Sequence, residues 1–229
     1  MQRTCGDLHR IAVHVLGRRR FAVSGRFGLR ASPGGIATPA FGPEPEVVRF
    51  AGPCLVREVG AGARSLPMDG ATLAELAAFV DADLTSEFSA GAAAPAPGSP
   101  DEPLHLAADE LDVLYAWWDL GSRVLDVVTS DPAPGPGWAT IQLWPEHFDV
   151  GTGLDLGSGK GVNLGFSPGD AFSREPSLYV GPWGPERPGG PEYWNAPFGA
   201  VLPRSGVDDP GAQAAEAFLW RGLELLANG

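Results

Sequence analysis

The sequence predicts an α+β fold, an antiparallel sheet with flanking helices, and its order of elements suggests an internal duplication of a helix–strands–helix unit. Three observations lead there. A chain of 229 residues that is 44% apolar buries a sizeable core without disulfide or metal staples. Its apolar residues fall into strand-length alternating segments bounded by glycine and proline, in two groups, each bracketed by helical periodicity. Between the groups runs the Ala/Pro-rich segment SAGAAAPAPGSPDEP at residues 89–103, whose prolines are excluded from helix interiors and central strands. The expected organisation is a first half over 1–88, a linker over 89–103 and a second half over 104–229, packed as one compact domain.

The first half opens with a short helix expected over 7–16. Strand-like segments follow at 21–31, 36–41, 47–51, 55–59 and 64–68. Gly34-Gly35 marks a hairpin, since glycine reaches positive φ at little cost. A helix then starts at Thr72, because Thr72 and Glu75 have capping-box spacing and Leu73, Leu76, Ala77 and Val80 share one face.

In the second half, Leu111, Leu114, Tyr115, Trp118, Leu125 and Val128 recur at intervals of three and four, which predicts a long amphipathic helix over 104–128. Strands are expected at 138–150, 161–167, 177–181 and 196–202, the last led in by Trp194 and Asn195. A closing helix is signalled by Asp209 as cap and Pro210 at its first position, with Ala214, Ala217, Phe218 and Leu225 along one side. The segments 131–137 and 182–191 read as surface loops.

The chain carries a net charge of −12, which repels a phosphate backbone and argues against nucleic-acid binding. No apolar run approaches the roughly 20 residues of a membrane-spanning helix, and no N-terminal segment has signal-peptide form. A cytoplasmic location is expected. Cys5 and Cys54 have neither metal-ligand spacing nor a local partner and are expected to be unpaired thiols. Seven arginines and one aspartate fall in residues 1–30, so this end is expected to meet acidic surface. Arg18, Arg19 and Arg20 read either as a solvated helix end or as an anion site.

The segment LDLGSGKG at 154–161 resembles the glycine-rich first motif of S-adenosylmethionine-dependent methyltransferases. That motif leads from a parallel strand into a helix. Here VNLGFSPGD follows, with two more glycines and a proline, so the expected structure is a hairpin with Gly157, Ser158, Gly159 and Lys160 at its turn. This argues against a methyltransferase. The same segment fails as a phosphate loop, because Gly161 stands where Ser or Thr is required. HExxH, GxSxG and CxxC are absent from the sequence.

The strings LWPEHFD, VNLGFSPGD, EPSLYVGPW and YWNAPFGA together resemble a family of uncharacterised proteins from high-GC bacteria. More distantly, the order of segments is similar to a larger bacterial family of unknown function. Neither resemblance implies an activity, a cofactor or a catalytic residue.

Read physically, a strand through 144–149 would put Trp144, Glu146 and Phe148 on one face and His147 and Asp149 on the other, with Pro145 able to reset the alternation. Tyr179 and Trp183 share a side of the later strand. His147 with Glu146 or Asp149 is the candidate acid–base pair. Asp155 and Asp170 are the carboxylates that would complete a hard-cation site, but no metal is assigned and the cofactor is left unknown. Trp144, Tyr179, Trp183, Trp194 and Asn195 are the candidate ligand wall, while Trp118 and Trp220 on helices are expected in the core. Ser167-Pro168-Gly169-Asp170 reads as a turn. The leading expectation is a small-molecule-binding protein with an aromatic-lined cleft formed by Trp144, Glu146, His147, Tyr179 and Trp183. The alternatives are an enzyme of unidentified reaction using His147, and a structural or partner-binding protein; oligomeric state is left open.

Overall fold

The computed structural model describes residues 1–131, 137–207 and 212–228, and the chain divides into two compact units. The first comprises Met1–Asp119 with Leu143–Phe148, the second Leu120–Gln142 with Asp149–Gly229. The Ala/Pro-rich residues 89–103 thus belong to the first unit, and the boundary falls inside the long helix of the second half.

In the first unit, α1 (Gln2–Ile11), a π-helical stretch (Ala12–Gly17) and α2 (Arg18–Ser24) follow without a break. The strand expected from residue 21 begins only at Arg30. The alternation at Phe21 and Val23 is overridden by tertiary contacts, in which Phe21 packs with the rings of Phe27 and Phe88. Gly25, at φ 69°, then ends the helix in the left-handed conformation. A meander of β1 (Arg30–Ser32), β2 (Gly35–Ala37), β3 (Glu46–Ala51), β4 (Cys54–Val59) and β5 (Gly62–Pro67) pairs antiparallel in sequence order. Gly34 turns the first hairpin at φ 77°. In α3 (Leu73–Phe79) the predicted capping box is complete: Glu75 N donates to Thr72 Oγ1 at 3.1 Å, and Thr72 N to Glu75 Oε2 at 2.8 Å. Leu8, Ile11, Leu16, Ile36, Phe50, Leu55 and Leu76 are fully buried and make the core.

The three consecutive arginines are consumed by this unit. Arg18 donates to the carbonyls of Asp83 and Ser86 and lies over the Phe88 ring, and Arg20 donates to Gly28 O. Arg19 grips Glu46 with two hydrogen bonds of 3.0 and 2.7 Å. Glu46, only 5% exposed, also accepts from Arg57 at 2.9 Å, and Arg57 reaches on to Asp81 at 2.5 Å. A buried carboxylate between two guanidiniums satisfies the rule that interior charge is paired.

The helix α4 (Ala108–Ser130) passes from the first unit into the second, and β6 (Gly137–Trp138), β7 (Gln142–Trp144), β8 (Asp149–Gly157), β9 (Lys160–Ser167), β10 (Ser177–Pro182), β11 (Ala200–Pro203) and α5 (Ala212–Ala227) follow along the chain, all in the second unit except Leu143 and Trp144 of β7. The antiparallel order in the second sheet is β11-β10-β9-β8-β6. Each unit therefore follows the order helix, antiparallel meander, helix, and the fold is α+β with flanking helices. Two expectations are corrected. The single strand over 138–150 is interrupted: Pro145 has no N–H to give, and the amides of His147 and Phe148 both turn back to Trp144 O, at 3.2 and 2.7 Å. Trp194 and Asn195 do not begin a strand, since residues 196–199 form a turn and β11 starts at Ala200. The predicted cap Asp209–Pro210 and most of the 131–137 loop lie outside the described residues. No helix among the described residues is long and apolar enough to cross a membrane.

Candidate functional site

In the second unit the strand register sorts the side chains cleanly. Val150, Thr152 and Leu154 of β8 stand beside Phe166, Leu164 and Val162 of β9, and these beside Leu178, Val180 and Pro182 of β10. This face is buried and takes the helices at close range. A Cβ added to Gly121 of α4 would lie 2.6 Å from Phe166 and 2.8 Å from Val150, and one on Gly222 of α5 would lie 2.9 Å from Val180.

The other face is nearly bare of side chains. Gly151, Gly153 and Asp155 oppose Gly165, Asn163 and Gly161, with Tyr179 and Gly181 beyond. Trp183 continues the row, its amide donating to Gly161 O at 2.9 Å. The two aromatic side chains lie down over the glycines of the neighbouring strands, as the phenol of Tyr179 covers Gly165 and Gly151 and the indole of Trp183 covers Gly161 and reaches Gly153. This is aromatic rescue of strand glycines: the ring supplies the cover that a missing side chain leaves out. Tyr179 and Trp183 thus share a face, as the alternation predicts.

Their polar ends are fixed. Tyr179 OH donates to Asp149 Oδ2 in a short bond. Burial, reinforced by the adjacent carboxylate, pushes the phenol well above its ordinary value, so it stays a donor and has no role as a base at neutral pH. Trp183 Nε1 donates to Asn163 Oδ1 at 2.8 Å, while the indole remains 48% exposed.

Glycine-157, Ser158 and Gly159 adopt φ values of 83°, 55° and 77°, and β8 runs straight into β9 through this turn. The LDLGSGKG segment is therefore a hairpin with no helix behind it. Lys160 at the hairpin's end, Leu156 and Gly161 line a cleft of about 440 Å³ with Pro182, Gly184–Pro188 and Leu226 of α5. Lys160 Nζ lies 3.4 Å from Glu186 Oε2 across it. Arg187 is committed to the loop itself, donating to the carbonyls of Gly184, Glu186 and Phe198 at 2.7, 2.7 and 3.0 Å.

The remaining predicted residues divide between framework and surface. Trp194 donates to Pro188 O at 2.8 Å and packs edge-on to Tyr193. Asn195 exchanges two hydrogen bonds with the backbone of Val201, at 2.9 and 2.8 Å, and so mimics a strand partner. Asp155 and Asp170 accept from backbone amides two residues on, at 2.7 Å each, which makes both of them turn residues. Among the described residues no group of three or more His, Cys, Asp or Glu side chains is placed to hold a metal.

Trp144, Glu146 and His147 belong to the first unit, whereas Asp149, Tyr179, Trp183, Trp194 and Asn195 belong to the second. In the first unit, His147 Nε2 lies 3.1 Å from Glu146 Oε1 with its side chain 57% exposed, and Trp144 is 39% exposed. Phe148, at φ 61°, closes their turn. The strand begins only at Asp149, so the alternation through 144–149 does not apply.

Two other histidines of this unit went unmarked in the sequence. His9 stacks flat on Phe148 with ring centroids 4.6 Å apart, and its Nε2 pairs with Pro145 O at 2.6 Å. Burial pushes it down to about 4. His14 pairs with Pro95 O at 2.8 Å and is likewise lowered by burial. Their spacing on a helix carried no ligand signal, and the loops they hold are distant in sequence. The chain matches no protein-family model, and no curated protein or solved structure is significantly similar to it.

Proposed function

We propose that this protein binds a small molecule in the cleft between the β8–β9 hairpin and residues 182–188. The observation that carries the reading is the cleft itself. At about 440 Å³ it falls within the size range of small-ligand sites, and it combines apolar walls at Leu156 and Leu226 with a few charged groups at its rim. Relative to the expected aromatic wall, the centre of the site moves: Gly159, Lys160 and Gly161 line the cleft and Trp183 does not, while Trp194 and Asn195 serve the framework. The unpaired thiols of Cys5 and Cys54 support a reducing compartment, the cytoplasm, for this activity.

The test is a titration of the ¹⁵N-labelled chain with a panel of neutral methyl glycosides and small aromatic acids, read at the amides of Lys160, Gly161 and Gly184. Saturable shifts at these positions, abolished by the cleft-filling variant Leu226→Trp, are expected. An unchanged spectrum across the panel would refute the reading.

A second reading rests on the His147–Glu146 pair. A carboxylate 3.1 Å from an exposed imidazole has the geometry of an acid–base couple. Asp149 is engaged by Tyr179 in the other unit, so Glu146 is the partner this reading uses. Loss of turnover in His147→Ala, once a substrate is in hand, is its measurement.

A further inference from the structure

We propose that a polar stripe along the N-terminal helical rod is a docking site for a proline-rich peptide, and that the chain's own residues 95–99 occupy it in cis. The site lies wholly within the first unit and is independent of the cleft reading.

Thr4, Asp7, Arg10, His14 and Arg18 follow one another at intervals of three and four along α1, the π-helical stretch and α2, the spacing of a single helix face. The segment 83–107 runs past them in the opposite direction. Arg18 donates to the carbonyls of Asp83 and Ser86, His14 Nε2 to that of Pro95 at 2.8 Å, and Arg10 Nη2 to those of Pro97 and Ser99 at 2.6 and 3.1 Å. Asp7 and Thr4 accept from the amides of His105 and Ala107 at 3.0 and 3.2 Å. Each of these bonds joins a side chain of the rod to passing main chain.

The middle of this ladder reads a backbone pattern. Pro95, Pro97 and Ser99 offer carbonyls at alternate positions, and proline has no N–H to be satisfied beside them. Arg10 clasps Pro97 O with Nε and Nη2, at 2.9 and 2.6 Å, and turns Nη1 to Asp7 at 3.0 Å. Asp7 offsets the guanidinium charge, so the stripe suits neutral carbonyls better than carboxylates. Gly98, at φ 65°, stands between the two carbonyls that Arg10 takes, in a conformation that favours glycine. A Cβ there would also come 3.3 Å from Arg10 Nη2. The pattern is therefore Pro-x-Pro-Gly, with the exposed Ala96 at the variable position.

The occupant is lightly held. Among the described residues, no backbone-to-backbone hydrogen bond ties 89–99 to another element, and of this stretch only Ala90 is buried. Segments with so little buried surface open at low free energy. The anchors at 83–86 and 105–107 keep both ends in place when the middle lifts. Lifting it frees Arg10 and His14 for another peptide of the same pattern, which meets the same donors because each bond ends on main chain. It also uncovers Glu146, on whose carboxylate a Cβ built at Gly91 would fall.

The test uses the ¹⁵N-labelled full-length chain and the terminally blocked peptide AAAPAPGSP, the sequence of residues 92–100. In the unmodified chain the strap competes at an effective concentration of about millimolar. A second protein therefore carries a Gly/Ser segment of equal length in place of residues 92–99, a more disordered competitor. Saturable shifts of the Arg10 Nε–H and the His14 amide are expected in this variant, with affinity about tenfold or more above that of the unmodified chain. Affinity should fall about tenfold for the peptide AAAPAPASP, and likewise when Arg10→Met is added to the Gly/Ser variant, the equivalent of one charge-assisted hydrogen bond. In the unmodified chain, excess peptide should move the Ala96 and Gly98 amides to their positions in a free segment and shift those of Glu146 and His147 as Gly91 leaves. Circular dichroism establishes folding, and if the Gly/Ser variant does not fold, displacement in the unmodified chain decides alone. A folded Gly/Ser variant that binds no peptide, equal affinity for AAAPAPASP, or binding unchanged by Arg10→Met overturns the proposal. So does tighter binding of the acidic peptide AAAEAEGSP, which would make the stripe a carboxylate site, or a strap whose amides stay in place under excess peptide.

Discussion

Replacing Gly121 by alanine isolates the close approach between α4 and the second sheet. In a helix interior alanine outperforms glycine by about 1 kcal/mol. Gly6 in α1 provides the reference: no atom lies within 4 Å of a Cβ built there, so Gly6→Ala is expected to stabilise by about 0.5–1 kcal/mol. At Gly121 the same methyl would sit 2.6 Å from Phe166 Cγ, 2.8 Å from Phe166 Cβ and 2.8 Å from Val150 Cγ1. Phe166 and Val150 are both fully buried, so neither can swing into solvent, and overpacking of this kind costs about 1–3 kcal/mol. The clash outweighs the propensity gain, leaving a net loss of about 1 kcal/mol and a separation of roughly 2 kcal/mol between the two variants. Urea denaturation gives both numbers, and calorimetry should place Gly121→Ala about 2–4 °C below the parent. If Gly121→Ala stabilises as much as Gly6→Ala, the sheet and helix do not meet through that glycine and the packing argument fails.

Glu46→Gln removes the charge held between Arg19 and Arg57 and is expected to destabilise by about 3–5 kcal/mol; a loss below 1 kcal/mol in chemical denaturation would show that the network is solvated. His9 is neutral in the native state, pushed down to about 4 from 6.5. The unfolded chain therefore takes up a proton that the native chain refuses as pH falls. Stability should be full above pH 6.5 and decline towards pH 4, by up to about 1.4 kcal/mol per pH unit from this group. His14 is shifted in the same direction, so His9→Phe, which keeps the stack on Phe148, should shrink the slope without abolishing it, as denaturation curves at several pH values would reveal. All three tyrosines, Tyr115, Tyr179 and Tyr193, are raised by burial. Phenolate absorbance should be missing about one unit above the ordinary phenol value of about 10, and appear only as the protein unfolds. Tyr179→Phe deprives the Asp149 carboxylate of a donor and is expected to cost about 1.5–3 kcal/mol by urea denaturation.

Elements written in local chemistry were legible in the sequence. The capping box at Thr72 and Glu75 needs only two side chains three residues apart, and it forms as read. The same holds for the Gly34 hairpin and for the GSGK turn, where glycine spacing decided between a hairpin and a cofactor loop. What failed was decided at long range. Phe21 and Val23 alternate like a strand, but Phe88, far along the chain, supplies the ring that keeps Phe21 on a helix. The turn at 144–148 is clamped by His9 through Pro145, a partner that no window around residue 145 contains. At the candidate site, the alternation placing Tyr179 and Trp183 together was readable. Their footing on Gly161 and Gly165 was not, because it depends on the β8–β9–β10 register. Arg187, inside the loop expected over 182–191, is that loop's internal tie. Trp194 and Asn195 were drawn in by residue type alone, and their hydrogen bonds show a framework role instead.

The π-helical stretch between α1 and α2 sets the phase of everything after it. All six residues Ala12–Gly17 are buried, His14 among them, and a π-turn holds one residue more than an α-turn. Such a stretch is an insertion absorbed without breaking the rod. It rotates the downstream face by one residue's worth of helix, and in this chain that rotation delivers Arg18 to the 83–86 carbonyls and Arg19 to Glu46. Deleting a single residue here would leave the rod helical and turn each arginine away from its partner. The indispensable quantity in this segment is thus its length, and substitutions that keep the count should be tolerated far better than any that change it.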